Sequence, residues 1–264
     1  MLIKRNNTLF SFIISIINIT WTSLLYGSCV TIGDVTNRPS NIDSVCTVPN
    51  KKVVIELNYI SKQLIDRAGT QHIYPDALIR IGLPSSNELS VLLPNYIQQS
   101  TSPKSGSTVV SPGFKHSFNY NDKWSFAVEE IANAASGSYY FGNQHWGATI
   151  NGIINYSATA KFSISFMLGL SRLSDAAASG GHYFNSINPD INLYYSLNKT
   201  IAVYGEIYGQ SKIDASHGAG FNFDTGVQFL VTSNTIINLS AGQQLHNYLG
   251  GFKHYLNAGV SIML

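Results

Sequence analysis

The sequence has few charged residues, and beyond its N-terminus it has no long apolar run. Only 11% of its residues are Asp, Glu, Lys or Arg, against about 25% in a typical soluble domain. A soluble β-sandwich is the main alternative for such a chain, but it rarely does without the Lys and Glu that keep exposed faces and edges soluble. No segment after residue 28 is long and apolar enough for a membrane-spanning helix. These absences argue against a soluble domain and against a helical membrane protein.

Familiar catalytic motifs are also missing. The sequence contains no Walker lysine after a glycine-rich loop, no HExxH, no CxxC and no GxSxG. The stretch Gly113-Phe114-Lys115-His116-Ser117 comes nearest to the Ser/His pair of outer-membrane phospholipases, but it lacks their Ser-Asn-Gly continuation. The histidines are scattered, with His145, His182 and His217 in or beside candidate external loops, and none pairs at a metal-ligand spacing. We therefore expect no enzyme, no metal site and no cofactor.

Basic and acidic residues balance once the N-terminus is set aside. The chain has 16 Lys and Arg against 14 Asp and Glu, and Lys4 and Arg5 are two of those 16. They precede an apolar stretch from Thr8 to Tyr26 and then small residues, the order of a cleaved secretory signal. We predict a signal peptide over residues 1–28, with an uncleaved anchor as the alternative. The balanced remainder gives no reason to expect nucleic acid as a partner.

Cysteine is scarce. Cys29 and Cys46 are the only two, and both precede the first predicted strand. In an oxidising compartment they can form a disulfide that closes a loop in the N-terminal segment. If the signal is cleaved after Cys29, Cys46 is instead a lone thiol.

What the sequence does have is a strict alternation of short and long connections from about residue 52 to the end. Short turns such as Asn121-Asp122-Lys123 alternate with longer polar, Gly/Ser-rich stretches such as Asn133–His145. This pattern is typical of a bacterial outer-membrane β-barrel. We predict an all-β fold over residues 52–264, a transmembrane antiparallel barrel of about twelve strands, with ten or fourteen as alternatives. The predicted strands are 52–60, 74–83, 88–98, 112–120, 124–132, 146–156, 162–172, 184–197, 200–210, 219–230, 236–244 and 253–264.

Side chains alternate along these strands. In the last one, apolar residues from Leu256 to Leu264 share one face, while polar or small residues occupy the other, with Met263 the exception. One face suits lipid and the other suits a wetter interior. The apolar terminal residue, Leu264, resembles the signal read by the barrel-assembly machinery, which usually has an aromatic residue at that position.

Charged residues of the strands are expected to point into the lumen, because a lipid-facing charge near the bilayer midplane is costly. Two interpretations remain open: a structural network of acids and bases that holds a narrow barrel rigid, and a constriction that selects solutes. The predicted pore-lining residues are Glu56, Arg80, Glu88, Lys115, Glu129, Asn192, Tyr204, Glu206, Tyr208, Asp224 and Gln228.

The number of strands bears on the width of the lumen. About eight strands give a filled interior, and sixteen to eighteen leave an aqueous channel. Twelve lie between these limits, so the sequence predicts a narrow pore. The turn-rich residues 29–51 are either a periplasmic segment or a lumen plug.

Several motifs resemble the MetA-pathway phenol-degradation family, an outer-membrane transporter-like group. They are Thr36-Asn37-Arg38-Pro39, Val48-Pro49, the block Leu78–Leu83 with Glu88–Val91, and Leu256–Val260. Asn37 and Ser40 depart from the family, which often has Asp at those positions. The resemblance implies a barrel for uptake of small, often aromatic, compounds. Arg38 and Pro39 belong to the family motif, and we expect Arg38, Glu56, Arg80 and Glu88 to form an ionic cluster near the periplasmic mouth.

Taken together, these observations predict a passive outer-membrane channel or transporter-like pore for small solutes, including aromatic or apolar ones. Outer-membrane lipid, the barrel-assembly machinery and a small solute are the expected partners, and the bacterial outer membrane is the expected location. The alternative is a closed barrel whose long external loops serve surface binding or adhesion.

Overall fold

The computed structural model describes residues 29–65, 68–119 and 121–264, which are mostly β-strand. The predicted signal peptide, residues 1–28, lies outside the described residues. A one-turn helix, α1, spans Ile32–Val35, and 3₁₀ helices occupy Ala177–Ser179 and Leu249–Gly251. No helix in this part of the chain is long and apolar enough to cross a membrane. The strands are β1 (Val53–Leu64), β2 (Thr70–Leu83), β3 (Asn87–Leu92), β4 (Tyr96–Gln99), β5 (Ser105–Ser107), β6 (Ser111–Asn119), β7 (Trp124–Asn133), β8 (Gly147–Ser157), β9 (Phe162–Ser174), β10 (Tyr183–Ser196), β11 (Ile201–Gln210), β12 (Gly220–Thr232), β13 (Thr235–His246) and β14 (Phe252–Met263).

The strands form one closed antiparallel sheet. From β6 onward each strand pairs with the next along the chain. The last strand, β14, returns to β1, with Val54 opposite Met263 and Lys62 opposite Tyr255. This pairing closes the sheet into a barrel, the form in which a β-structure satisfies its backbone polar groups in lipid.

Two of the barrel's strands are interrupted. One half of β2 pairs with β3 and the other half with β4, while β3 pairs with β6 and β4 with β5. Thus β3 and β4 are halves of one strand, and β5 and β6 are halves of the next. Pro94 lies in the first interruption, where it has no N–H to donate to the ladder. The strands therefore occupy twelve positions around the barrel, and the predicted number is confirmed.

Two of the gaps left between the predicted strands, after residues 60 and 98, are too long to be loops alone. The loop predicted from Ser61 to His72 is mostly a continuation of the first hairpin, in which the Leu64 N–H donates to the Gly69 carbonyl at 2.9 Å. The loop predicted from Gln99 to Ser111 contains β5. Both segments are polar because they rise beyond the hydrocarbon, where a strand no longer needs apolar residues on its outer face.

The two faces of the wall have the predicted chemistry. Along β9, Phe166, Leu168 and Leu170 point outward and are 43%, 43% and 58% exposed, whereas Met167 and Ser171 are buried inside. Met263, the apolar residue on the polar face of the last strand, packs inside the barrel against Val54 and Ile236. Its apolar character therefore reflects a local contact in the lumen.

Aromatic rings on the outer face form clusters at two levels. Near the short turns, Trp124 stacks with Phe126 and contacts Tyr156. Toward the long loops, Tyr74 lies between Tyr59 and Tyr96, with ring centroids 6.0 and 5.5 Å away. Aromatic girdles mark the two interfaces of a transmembrane barrel, and its short turns face the periplasm.

Candidate functional site in the barrel lumen

The residues before the first strand lie inside the barrel. Thr31 and Asp34 cap the short helix α1 reciprocally: the Thr31 N–H donates to Asp34 Oδ2 at 2.9 Å, and the Asp34 N–H donates to Thr31 Oγ1 at 3.3 Å. The helix buries Ile32 and Val35 completely, in an apolar cluster with wall residues that begin or end strands at the periplasmic side. This cluster anchors the segment at the periplasmic mouth. We call residues 29–50 the lumen segment.

A disulfide joins Cys29 to Cys46, with an S–S distance of 2.04 Å. The intervening residues thus form a closed loop inside the barrel. A cross-link over a loop of this length stabilises the ordered form by about 3 kcal/mol.

We expect replacement of both cysteines by serine to loosen this loop without opening the wall. Amide hydrogen exchange over residues 36–45 should become faster by up to about a hundredfold, the factor that corresponds to the lost constraint. Exchange in β9 should stay unchanged and serves as the internal control. Equal exchange rates over residues 36–45 in both proteins would show that the other contacts alone hold the loop.

Arg80 is the centre of a buried ionic network. Its Nε and Nη2 donate to the two oxygens of Glu88 at 2.7 and 2.9 Å, and its Nη1 donates to Glu56 at 3.1 Å. The same guanidinium donates to the carbonyls of Val35 and Cys46 in the lumen segment. Arg80 and Glu56 are fully buried and Glu88 is 1% exposed, so this network fastens the segment to the wall.

Lys115 extends the network to two more wall strands, its own β6 and the β7 of Glu129. Its Nζ lies 3.9 Å from Glu88 and 3.7 Å from Glu129, and it donates to the Ser44 carbonyl at 3.0 Å. Lys115 is 1% exposed. Its ammonium therefore meets two wall carboxylates and the lumen segment at once.

Arg38 departs from the ionic cluster expected for it. Its guanidinium pairs with Asp76, at 3.2 Å, and only its backbone N–H reaches Glu56, at 2.9 Å. The carboxylates of Glu56 and Glu88 already surround Arg80, and a second guanidinium there would meet like charge. The expected cluster thus contains three of its four members, and Arg38 belongs to a separate pair. The neighbouring motif residue, Pro39, lines the lumen beside it.

Three wall carboxylates bind backbone N–H groups of the lumen segment. Glu56 accepts from Asn37 and Arg38, Glu88 accepts from Val48 at 2.7 Å, and Glu206 accepts from Asn41 and Ile42 at 2.7 and 2.8 Å. An irregular buried segment needs such partners for its backbone, and hydrogen bonds to charged acceptors are the strong ones. These acids therefore fix the path of the segment.

The two departures from the family motif have local roles in the same turn. The Asn37 side chain accepts from the Ser44 N–H at 2.9 Å and donates to Asp43. Ser40 donates to the Asn37 and Ile42 carbonyls. Both side chains brace the turn between residues 37 and 44 without a charge of their own.

A row of acids lies on the opposite wall. Glu206 of β11 pairs in register with Asp224 of β12 and with Asn192 of β10, and Asp190 lies two residues away on β10. Asp190 accepts from Asn41 Nδ2 at 2.7 Å, and Asp224 accepts from the Tyr255 hydroxyl at 2.6 Å. In the described residues none of these three acids has a Lys, Arg or His within ion-pair distance. The row is thus an uncompensated acidic surface.

Every predicted pore-lining residue lies on the inner face of the wall. Besides the acids and bases above, Gln228 donates to the Arg38 carbonyl at 2.8 Å, Tyr204 is 4% exposed, and Tyr208 lines the outer part of the lumen. Sequence reasoning missed Asp76, Asp190 and Tyr255. Asp76 lies four residues before Arg80, and Asp190 lies two residues before Asn192. The alternation of side chains therefore already predicted that both acids point inward.

Two cavities lie along the lumen. The inner chamber, on the periplasmic side, has a volume of about 360 Å³ and is lined by Asp34, Asp43, Asp122 and several serines. The outer chamber, toward the long loops, has a volume of about 140 Å³ and is lined by Lys62, Asp224 and Tyr255 among others. Ser40 lines both chambers. Residues 38–42 of the lumen segment therefore form the partition between them.

The adjacent His116 and Ser117 point to opposite faces of β6. Ser117 is buried inside the barrel, whereas the His116 ring contacts Asn87 Oδ1 at 2.8 Å and lies beside Phe118 on the outer face. Successive side chains of a strand always diverge in this way, so these two cannot act as a catalytic dyad.

The external loops contact one another through hydrogen bonds and ring stacking. Partial burial raises the pKa of Asp214, but hydrogen bonds from His217 and Ser216 outweigh it and lower this pKa to about 2. The Ala215 N–H donates to Asp175 in a neighbouring loop at 3.4 Å, and His145 stacks on Tyr183.

Within the described ranges, no three His, Cys, Asp or Glu side chains are grouped as metal ligands would be.

Comparisons with known proteins agree with this architecture. The model of a family described as "Putative MetA-pathway of phenol degradation" matches residues 36–250. No curated protein matches the sequence. The match extends far beyond the terminal motifs and covers most of the barrel.

Solved structures resemble the chain in fold. An outer membrane channel from Pseudomonas putida F1 is 11% identical with a TM-score of 0.68, and the match covers 86% of this chain and 100% of the channel. The NanC porin is 12% identical (TM-score 0.54, covering 80% and 100%), and the KdgM porin is 13% identical (TM-score 0.52, covering 78% and 98%). At such low identities the likeness shows the fold, and it confirms the predicted outer-membrane β-barrel.

Proposed function

From its membership of the phenol-degradation MetA-pathway family and from the geometry of its lumen, we propose that this outer-membrane barrel is a passive channel for small solutes. The observation that best supports this proposal is the pair of chambers in the lumen, with residues 38–42 of the lumen segment between them and Ser40 lining both. The partition is held by hydrogen bonds and by one disulfide, and it is not part of the closed sheet. A shift of this short stretch would join the chambers into one path.

The lining of the path favours small polar solutes with an apolar or aromatic part. Serine hydroxyls and asparagine amides in the inner chamber can replace hydration, and Tyr208 and Tyr255 offer ring faces in the outer chamber. The catalytic pair considered for β6 diverges across the wall. We therefore favour passage of solute over catalysis.

Before it functions, the chain would be exported and assembled into the membrane. Residues 1–28 would be removed as a signal peptide, residues 29–50 would enter the lumen, and the barrel-assembly machinery would read the last strand up to Leu264. Mature protein that begins at Cys29 keeps both disulfide partners, in agreement with the bridge between them. N-terminal sequencing of protein recovered from outer membranes would test this cleavage position.

Solute uptake by liposomes that contain the refolded protein tests the channel itself. A small sugar, an amino acid and a phenol derivative should each enter faster than into liposomes that carry a plugged control barrel. The ranking of the three solutes shows whether the lumen favours an aromatic compound. If properly inserted, heat-modifiable protein admits none of the three, the protein is not a channel.

A further inference from the structure

The outer chamber carries unpaired groups of both charge signs. Among the described residues, neither Lys62 nor Asp224 has an ion-pair partner. Both line the chamber. The Lys62 ammonium lies 5.3 Å from the centre of the Phe252 ring, and Asp224 holds only the Tyr255 hydroxyl on one of its two oxygens. A lysine without an ion-pair partner and a carboxyl group with a free oxygen therefore face the same small space.

Residues that line the chamber also carry buried acceptors and a buried donor that have no hydrogen-bond partner. Within the described ranges, Asp224 Oδ1 and Asn257 Oδ1 are buried acceptors without a donor, and Arg38 Nε is a buried donor without an acceptor. Asp224 is 1% exposed and Asn257 is 7% exposed. Buried polar groups are usually hydrogen-bonded. A ligand that supplies both a donor and an acceptor would satisfy them together.

The spacing suits one small zwitterion. Lys62 and Asp224 belong to one row of the wall, because Lys62 lies opposite Tyr255, Tyr255 opposite Gly242, and Gly242 opposite Asp224. Three strand spacings of about 4.8 Å separate their backbones by about 14 Å along the wall. Both side chains narrow this gap as they reach inward. The two groups thus reach one chamber from separate strands, as the two charged ends of a single α-amino acid require.

The volume and the walls limit the rest of the ligand. A chamber of about 140 Å³ is close to the ~150 Å³ of a protein cavity that holds benzene. Phe252 and Tyr255 meet edge to face with ring centroids 5.1 Å apart, so one wall is apolar. A short apolar side chain fits this space beside the charged backbone of an amino acid.

We infer that the outer chamber is a recognition site for small zwitterionic α-amino acids. The ammonium binds Asp224 and Asn257, the carboxylate binds Lys62 and Arg38, and the side chain packs on Phe252 and Tyr255. A role of this site in solute entry rests on the proposed channel. Binding of an amino acid to the site can be tested without any passage of solute.

Three probes of similar size separate the charged ends. L-valine carries both, isobutylamine lacks the carboxylate, and isovalerate lacks the ammonium. Saturation-transfer NMR on refolded protein in micelles should show L-valine binding with a dissociation constant of about 1–10 mM. Each of the other two probes should bind at least about tenfold more weakly.

Substitutions in the chamber test which residue binds the ammonium of the ligand and which binds its carboxylate. Asp224→Asn should reduce L-valine binding to the level of isovalerate, and Lys62→Met should reduce it to the level of isobutylamine. The matched controls Asp214→Asn and Lys253→Met, in an external loop and on an exposed part of β14, should bind L-valine as the wild type does. Heat-modifiable mobility verifies folding, and if one chamber variant fails to fold, the other alone decides.

The inference is overturned if the three probes bind equally, if isobutylamine matches L-valine, or if both chamber variants keep wild-type affinity. Planar-bilayer recordings of the same preparation report on the proposed function separately. An absence of ion current with intact L-valine binding would refute the channel and keep the site. An ion current in a protein that does not bind L-valine more tightly than the other two probes would keep the channel and refute the site.

Discussion

Excision of residues 36–45 should raise the single-channel conductance about threefold or more. These residues include the stretch 38–42 that lies between the two chambers. A twelve-strand barrel without its filling lies between the closed eight-strand and the open sixteen-strand cases. The structure shows how to make the cut cleanly. One guanidinium, that of Arg80, binds the carbonyls of both Val35 and Cys46, so a Gly-Ser pair can join these two residues.

The remaining anchors of the lumen segment survive this excision. Helix α1, its apolar cluster, the disulfide and the contacts of Arg80 all lie outside residues 36–45. Removal of the exposed loop residues 216–218 is the control and should leave the conductance unchanged. If the excised and wild-type proteins conduct equally in planar bilayers, the partition does not limit passage.

The wall of this barrel was predictable because its chemistry repeats with a period of two. Lipid on one side and a polar lumen on the other impose the alternation on every strand. Thus inward residues far apart in sequence, such as Glu56, Glu129 and Asp224, could all be placed from parity alone. Parity also predicts Asp76 and Asp190, which follow from Arg80 and Asn192 on the same strands.

The path of the lumen segment has no such repeat. Its contacts join residues very far apart in the chain, as between Asn41 and Glu206, which are 165 positions apart. They use backbone N–H groups, which every residue except proline has. No side-chain pattern marks which amide meets which acid, so sequence could offer only the choice between a periplasmic segment and a plug.

The two interpretations of the inward charges apply to different parts of the lumen. Arg80 and Lys115 pair with Glu56, Glu88 and Glu129 in a buried network that ties wall and segment together. The opposite wall keeps acids without ion pairs in the described structure, including Asp224 in the outer chamber. A structural role suits the first group, and a role in solute selection suits the second. In the sequence both groups are simply inward-facing charges, because the ion pairs depend on which residues come side by side when neighbouring strands pair in register.

Replacement of Arg80 by methionine should lower the free energy of unfolding by about 3–5 kcal/mol, the cost of leaving buried charges without their partner. Arg80 is fully buried, and it compensates Glu56 and Glu88 while it satisfies two carbonyls of the lumen segment. Urea titration in micelles, followed by heat-modifiable mobility, measures the change. Arg172→Met is the matched control: Arg172 is exposed on the outer face and stacks on Tyr183 at 4.7 Å, a contact worth about 0.5–1 kcal/mol.

The origin of this loss can be separated from a simple loss of packing. If uncompensated charge is the cause, adding Glu56→Gln and Glu88→Gln to Arg80→Met should recover part of the stability, because the neutral amides remove the buried charges. If packing is the cause, the added changes should lower stability further. Equal stability of Arg80→Met and Arg172→Met would contradict the central role of the network. In that case the apolar cluster of α1 and the disulfide would be the main anchors of the lumen segment.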